Sequence, residues 1–414
     1  MSLPYERGDL LPDTAADVAK LRTAWRIVER RHRDGTLFNF TGLERSLVLD
    51  GVEPGTLDDD LAPALVGARL TELALEHLGG IAGRDDVFVA NRLTAAIVAA
   101  MQVLVRPGDT VLGVSASYSH PVVHRAVALA GGELVDTVGY DDFAAQLEHH
   151  EPALVVLTRL AVSYEALPSD ELEQIAAEAE RRGVPVFVDD AGGARVGPAV
   201  FDQPKTLELG AVAGATGLDK YGTTGPRLGL LGARAELVGR IRARAIELGL
   251  EARPMLYPAV VHSLEQYDPG RVRELVAATR EVADALEARF PWVDRTPVAV
   301  KLQGEDTLAE SARRAGLQAT DRYLAPYEAT AALAMLLLRD HGILTVHFAA
   351  LPPGTSALLL KFLPPETLAR FGGAGRFAEA VDASLAELGA LVGDEGALRD
   401  LLGAASPAAV EPVS

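Results

Sequence analysis

From residue 85 onward, short β-branched and apolar runs alternate with longer Ala/Leu/Glu-rich stretches whose apolar positions recur every three or four residues. The short runs predict strands at Val87–Ala90, Thr110–Val114, Glu133–Thr137, Leu154–Thr158, Val184–Asp189, Ala211–Thr216 and Leu228–Ala233. The longer stretches predict helices over 94–105, 120–130, 141–149 and 169–182. Such alternation implies a mostly parallel sheet with helices on both faces. Ahead of it, Val18, Leu21, Trp25 and Val28 at helical spacing predict a helix over 12–33 that Asp13 or Thr14 caps. Residues 37–56 read as irregular and 61–79 as helix. Helices near 234–248 and 270–289 follow. After Pro291 to Pro297 the pattern becomes a strand at 298–302, a helix at 328–340, strands near 343–348 and 357–363, and a helix at 375–392. The expected fold class is α/β, with a smaller α+β domain at the C-terminus. The expected limits are 1–45 for an N-terminal helix and arm, 46–268 for the large domain, 269–405 for the small one and 406–414 for a frayed tail.

The 414 residues exceed what one hydrophobic core of about 250–300 residues organises, in keeping with two domains. Cysteine is absent, which removes disulfide scaffolds, thiolate zinc sites and cysteine nucleophiles. The histidines show no metal-ligand spacing, so no metal site is expected. A net charge of −19 without any basic run speaks against nucleic-acid and membrane partners. The opening MSLPYERGDL lacks the apolar core of a signal peptide, and no apolar stretch approaches about 20 residues, so a soluble cytoplasmic protein is expected.

Lysine is scarce, at only five positions, and Lys220 stands in a small-residue turn between two apolar strands. A lysine held at a sheet rim is desolvated, which lowers its pKa and frees the amine to attack a carbonyl; the alternative is a solvated turn lysine. Asp189 ends the strand VPVFVD, beyond whose carboxyl end ligands bind in such sheets; it holds a protonated pyridine nitrogen or caps the next turn. Asp190 points the other way. At Asn91, Arg92, Leu93 and Thr94 a strand gives way to a helix, a natural anion site to which Arg92 adds charge, or else a plainly capped helix. Tyr118 and His120 follow another strand and offer a ring to a planar ligand, or ordinary packing; His120 is also a candidate proton carrier. Anion site, aromatic loop, carboxylate and lysine come from successive crossovers of one sheet. Together they match what pyridoxal 5′-phosphate requires.

With these residues in order, the chain resembles the fold-type I pyridoxal-phosphate enzymes over about residues 36–395. FNFTG at 38–42 and DKYGTTGPRLGLL at 219–231 are similar to the selenocysteine synthase-like group. Arg92 and TRLAVSYEALPS at 158–169 resemble the aromatic amino acid β-eliminating lyases, tyrosine phenol-lyase and tryptophanase. The resemblance implies a Schiff base at Lys220, Asp189 on the ring nitrogen, Arg92 on the phosphate, and Gly222 to Gly225 where backbone approaches that phosphate. It also implies a homodimer. Arg159 stands where those lyases keep an asparagine, Gly192 where they keep an arginine or histidine, and Lys361 near the usual carboxylate-binding arginine. Arg159, Ser163 and Lys361 are accordingly the expected substrate contacts. The expected function is chemistry through a Cα carbanion on an amino acid or related amine, with β-elimination or β-replacement first and transamination as the alternative. A non-catalytic binding protein of the same fold is the alternative of another class.

Overall fold

The computed structural model describes residues 3–317, 324–348 and 351–404. The expected tail, 406–414, lies outside the described residues. The chain divides into two compact units, Leu43–Arg273 and Ser2–Gly42 with Glu274–Ser414. The N-terminal helix and arm thus belong with the C-terminal segment instead of standing alone. The boundary at 273/274 falls inside a helix, Pro269–Glu287.

The first unit is built on a seven-stranded sheet. Its order is Asp85–Ala90, Gly229–Arg234, Ala213–Gly217, Val186–Asp189, Leu154–Thr158, Thr110–Ser115 and Glu133–Val138. The last five strands pair in parallel, and Gly229–Arg234 is antiparallel to both neighbours. Alternation along each strand sends side chains to opposite faces. Leu154, Val156, Phe187, Ala213 and Ala215 pack with the helices Leu93–Leu104, Pro121–Leu129 and Ala235–Glu247. Val155, Leu157, Val186 and Val188 pack with Gly139–His149 and Ser169–Arg182 on the other face. This parity fixes what emerges at the strand ends. Thr158 and Asp189 are register partners and continue the face of the helix Leu93–Leu104; Arg159 and Asp190 continue the other.

The second unit packs around the helix Pro326–His341, whose residues Tyr327 to Leu338 are all buried. A three-stranded antiparallel sheet has Ala299–Leu302 at its centre, between Leu358–Lys361 and Asp294–Arg295. Phe38–Phe40, in a stretch expected to be irregular, pairs in parallel with Ile343–Thr345. The helix Thr14–Arg33 begins where Asp13 Oδ1 accepts the Ala16 N–H at 2.8 Å, and its last turn is basic. No helix among the described residues is long and apolar enough to cross a membrane.

Candidate active site

Asp189 closes its strand 2% exposed, and its Oδ1 has no hydrogen-bond partner. Burial, and then the charge of Asp190, push its carboxyl up to about 7, against the pull of Lys220 and of the Ala191 N–H. Thr158, its register partner on the next strand, is likewise buried with an unsatisfied hydroxyl. Two unsatisfied oxygens, Asp189 Oδ1 and Thr158 Oγ1, therefore sit at the carboxyl ends of adjacent parallel strands, where the fold places its ligands.

Lys220 lies three residues beyond the strand Ala213–Gly217 and is half-buried. Burial lowers its pKa below the ordinary lysine value, and Arg45 and Arg227 add to that effect while Asp219 opposes it. Burial opposes ionisation of Asp219 as well, but Lys220 and Arg45 outweigh it and hold that carboxyl at about 2. Arg227 is brought down to about 10 by burial and by its cationic neighbours Arg45 and Arg92. Three cations, Lys220, Arg45 and Arg227, thus act on one buried carboxylate, with Arg92 beside Arg227, a surplus of positive charge suited to an anion.

The helix Leu93–Leu104 opens at Arg92, whose backbone is extended and whose side chain is exposed, and no side chain caps it. The Asn91 N–H donates to the Leu250 carbonyl at 2.9 Å; Leu93 is half-buried and Thr94 exposed. Tyr118 and His120 lie partly buried in the loop after Thr110–Ser115. His120 Nδ1 accepts the Val122 N–H at 3.0 Å, and burial, followed by the charges of Arg125 and Lys220, takes its pKa down to about 4. The neutral ring therefore carries its proton on Nε2.

No protein-family model matches the chain. A UPF0425 pyridoxal phosphate-dependent protein of Methanothermobacter thermautotrophicus is 30% identical over 354 residues, covering 84% of this chain and 88% of that one. The chain belongs to this UPF0425 family. A relative of the same description from Methanosphaera stadtmanae is 28% identical over 329 residues, 79% of this chain and 83% of its own. The fold of the UPF0425 chain is shared with alanine–glyoxylate aminotransferase of Nostoc sp., with a TM-score of 0.56 at 15% identity, over 85% of this chain and 95% of that one. Ureidoglycine–glyoxylate aminotransferase of Bacillus subtilis gives 0.58 at 15% identity, over 89% and 97%. The α/β, fold-type I architecture expected from the sequence is thereby established.

The family's cofactor fits the residues present in this UPF0425 protein. The orphaned Oδ1 of Asp189 suits the N–H of a protonated ring nitrogen, the uncapped helix start with Arg92 suits a phosphate, and the amine of Lys220 suits an aldehyde.

Other expected contacts are placed differently. Arg159 is 1% exposed, and its two terminal guanidinium nitrogens donate to Asp190 Oδ2 at 2.6 Å and the Pro204 carbonyl at 2.5 Å, on the sheet face away from Asp189. It is a structural partner of Asp190, not a free substrate contact. Thr206 Oγ1 donates to the same Asp190 oxygen at 2.7 Å. Arg159→Leu would leave Asp190 charged and buried, and should cost about 3–5 kcal/mol in denaturant unfolding. Altered substrate preference with unaltered stability would restore the substrate role. Lys361, in the second unit, is 2% exposed and donates to the Thr41 carbonyl at 3.2 Å. Ser163 donates to Glu165 Oε2 at 2.7 Å and lies 2.7 Å from Ser117 Oγ, tying together the loops after two adjacent strands. A Cβ at Gly225 would meet Ser263 Oγ at 2.4 Å and the Leu218 carbonyl at 2.6 Å, so close packing demands glycine there. At Gly192 the space is filled by the ring of Tyr221, whose hydroxyl lies 2.6 Å from that of Tyr164.

Four residues of the cluster were not singled out from sequence: Thr158, Asp219, Arg45 and Arg227. Strand parity alone would have put Thr158 beside Asp189. Asp219 and Arg227 lie within the DKYGTTGPRLGLL stretch. Nothing in the sequence marks Arg45.

Proposed function

We propose that this chain is a pyridoxal phosphate-dependent enzyme working at the carbon that bears a substrate amine, with Lys220 carrying the cofactor and Asp189 meeting its ring nitrogen. The observation that carries this reading is the Asp189 carboxylate, buried at a strand end with Oδ1 unsatisfied. Such a group is costly unless a donor arrives, and a protonated ring nitrogen is that donor.

When bound, pyridoxal phosphate supplies an aldehyde for amines and an electron-poor ring that spreads negative charge from the substrate α-carbon. The chain's own residues do the rest. Asp189 holds a proton at the ring nitrogen. Arg92 and the opening turn of its helix hold the phosphate oxygens. Lys220, whose pKa burial lowers, would present its amine to the aldehyde and, when free, would take the proton from the α-carbon and return one. His120, neutral, offers a donor at Nε2.

Among reaction classes we favour transamination over the β-elimination or β-replacement that the sequence resemblance put first. The two solved proteins compared above are described as glyoxylate aminotransferases, and transamination asks only for proton transfer by the lysine, with no acid for a leaving side chain. Purified protein given amino acid donors and glyoxylate should form glycine and the donor's oxo acid in equal amounts, without ammonia. Pyruvate and ammonia from a β-substituted amino acid, with no oxo acid added, would return elimination to first place. A chain that retains no pyridoxal phosphate would leave only the binding-protein reading.

A further inference from the structure

The amine of Lys220 has a neighbour that the chemistry above does not use. Gly217 ends the strand before it, and a Cβ there would lie 2.9 Å from Lys220 Cε and 3.0 Å from Asp219 Oδ1. The bare backbone lets lysine and aspartate fold back side by side. Asp219 is 3% exposed and divides its oxygens, with Oδ1 3.5 Å from Lys220 Nζ and Oδ2 2.7 Å from Arg45 Nε. Backbone delivers the arginine: residue 45 bridges in parallel to Gly225, and the Ser46 N–H donates to the Gly225 carbonyl at 3.3 Å. A buried carboxylate shared between two cations, each on its own oxygen, is a fixed arrangement and not a surface ion pair.

We propose that Arg45 and Asp219 are a positioning pair for Lys220, in which Asp219 Oδ1 holds the free amine, Arg45 anchors Oδ2, and the two together set how much charge that amine carries. The inference rests on Lys220 being the lysine that bears the cofactor. Lys220 is faced by Asp219, Arg45 and Arg227, and it acts in turn on Asp189 and His120. Tyr164 and Tyr221 face Asp219 with phenols raised by burial, so both stay protonated. Asp219, held at about 2, is an anion throughout the working range and does not titrate with the lysine.

The signs follow. Asp219→Asn removes the carboxylate in contact with the amine, so the amine gives up its proton at lower pH. Arg45→Gln removes a nearby cation and frees the Oδ2 charge, so the amine holds its proton to higher pH. A role confined to packing predicts something else: both variants loosen the site, expose Lys220 and raise it toward the ordinary lysine value.

The test uses the full-length protein after cofactor removal. Acetic anhydride at low concentration labels amines across a pH series, and peptide mass reads the extent at Lys220. The midpoint should fall by about one pH unit in Asp219→Asn and rise by about one in Arg45→Gln. Arg45→Lys should return close to the parent value. Should Asp219→Asn fail to fold, Asp219→Ser takes its place. Shifts in one common direction, or none, overturn the pair. Borohydride reduction with pyridoxal phosphate on the same proteins keeps the two readings apart. Trapping at Lys220 with unmoved midpoints sinks the pair alone; opposite shifts with trapping elsewhere sink the assignment of the cofactor lysine.

Discussion

Lys220→Ala should take up pyridoxal phosphate without the visible band of a lysine adduct, lose borohydride trapping altogether, and lose activity by about 10³-fold or more. The size follows from the two tasks of one amine, which presents the aldehyde to incoming substrate and shuttles the proton at the α-carbon. Asp219 loses one of its two cationic partners but keeps Arg45 at 2.7 Å, so the variant should stay folded, and fold damage would not account for the loss. Added methylamine should restore part of the activity, because a small free amine can carry the proton that the side chain no longer carries. Unchanged activity in this variant would remove Lys220 from the chemistry, whatever its surroundings.

The sheet was legible because its signal is local. LVVLT at 154–158 and VFVD at 186–189 are buried on both faces, and unbroken apolar runs of that length announce a covered parallel sheet. Other elements depend on distant partners. Phe38–Phe40 is a strand only through Ile343–Thr345, some three hundred residues away, and nothing within FNF specifies that pairing. The helix Gly193–Val200 contains glycines and a proline and has poor intrinsic propensity; burial of Ala194, Arg195, Val196 and Ala199 makes it form. Gly304–Ala315 escapes a periodicity search because Leu308 is its one large apolar residue. Acidic groups in its first turn and Arg313 and Arg314 in its last supply what the pattern lacks.

The same division runs through the site. Lys220, Asp189 and the helix start at Arg92 could be proposed from the sequence because each stands at or just beyond a strand end, and strand ends converge in this architecture. Arg159 misled because its type suggested an anion contact, whereas its parity along the strand sends it to Asp190 on the far face. Arg45 was invisible, since its role depends on a backbone bridge to Gly225 formed only in the folded chain.

That parity gives Asp189 its energetic signature, and Asp189→Asn exposes it. In the cofactor-free protein the native carboxyl keeps its proton up to about 7, while an unfolded aspartate loses it near 3.8. Between those values the native state binds more protons than the unfolded one, so stability falls as pH rises through the window. Above it the full cost of a buried charge with one oxygen unsatisfied is present, on the order of 4 kcal/mol at about 1.4 kcal/mol per unit. Asparagine has nearly the same shape and no charge. The variant should therefore match the parent near pH 4 and exceed it by that amount at pH 8, measured by denaturant unfolding. With pyridoxal phosphate the order reverses. The ring N–H compensates the carboxylate, so the parent gains more stability from the cofactor than the variant does. Asparagine cannot keep the ring nitrogen charged, and activity should fall by about 10²–10³-fold. A residue that weakens the empty protein and sustains the loaded one is selected for its ligand. Superimposable stability profiles for parent and variant from pH 4 to 8 would mean that this carboxylate carries no such cost and that its unsatisfied oxygen is not where the ring nitrogen binds.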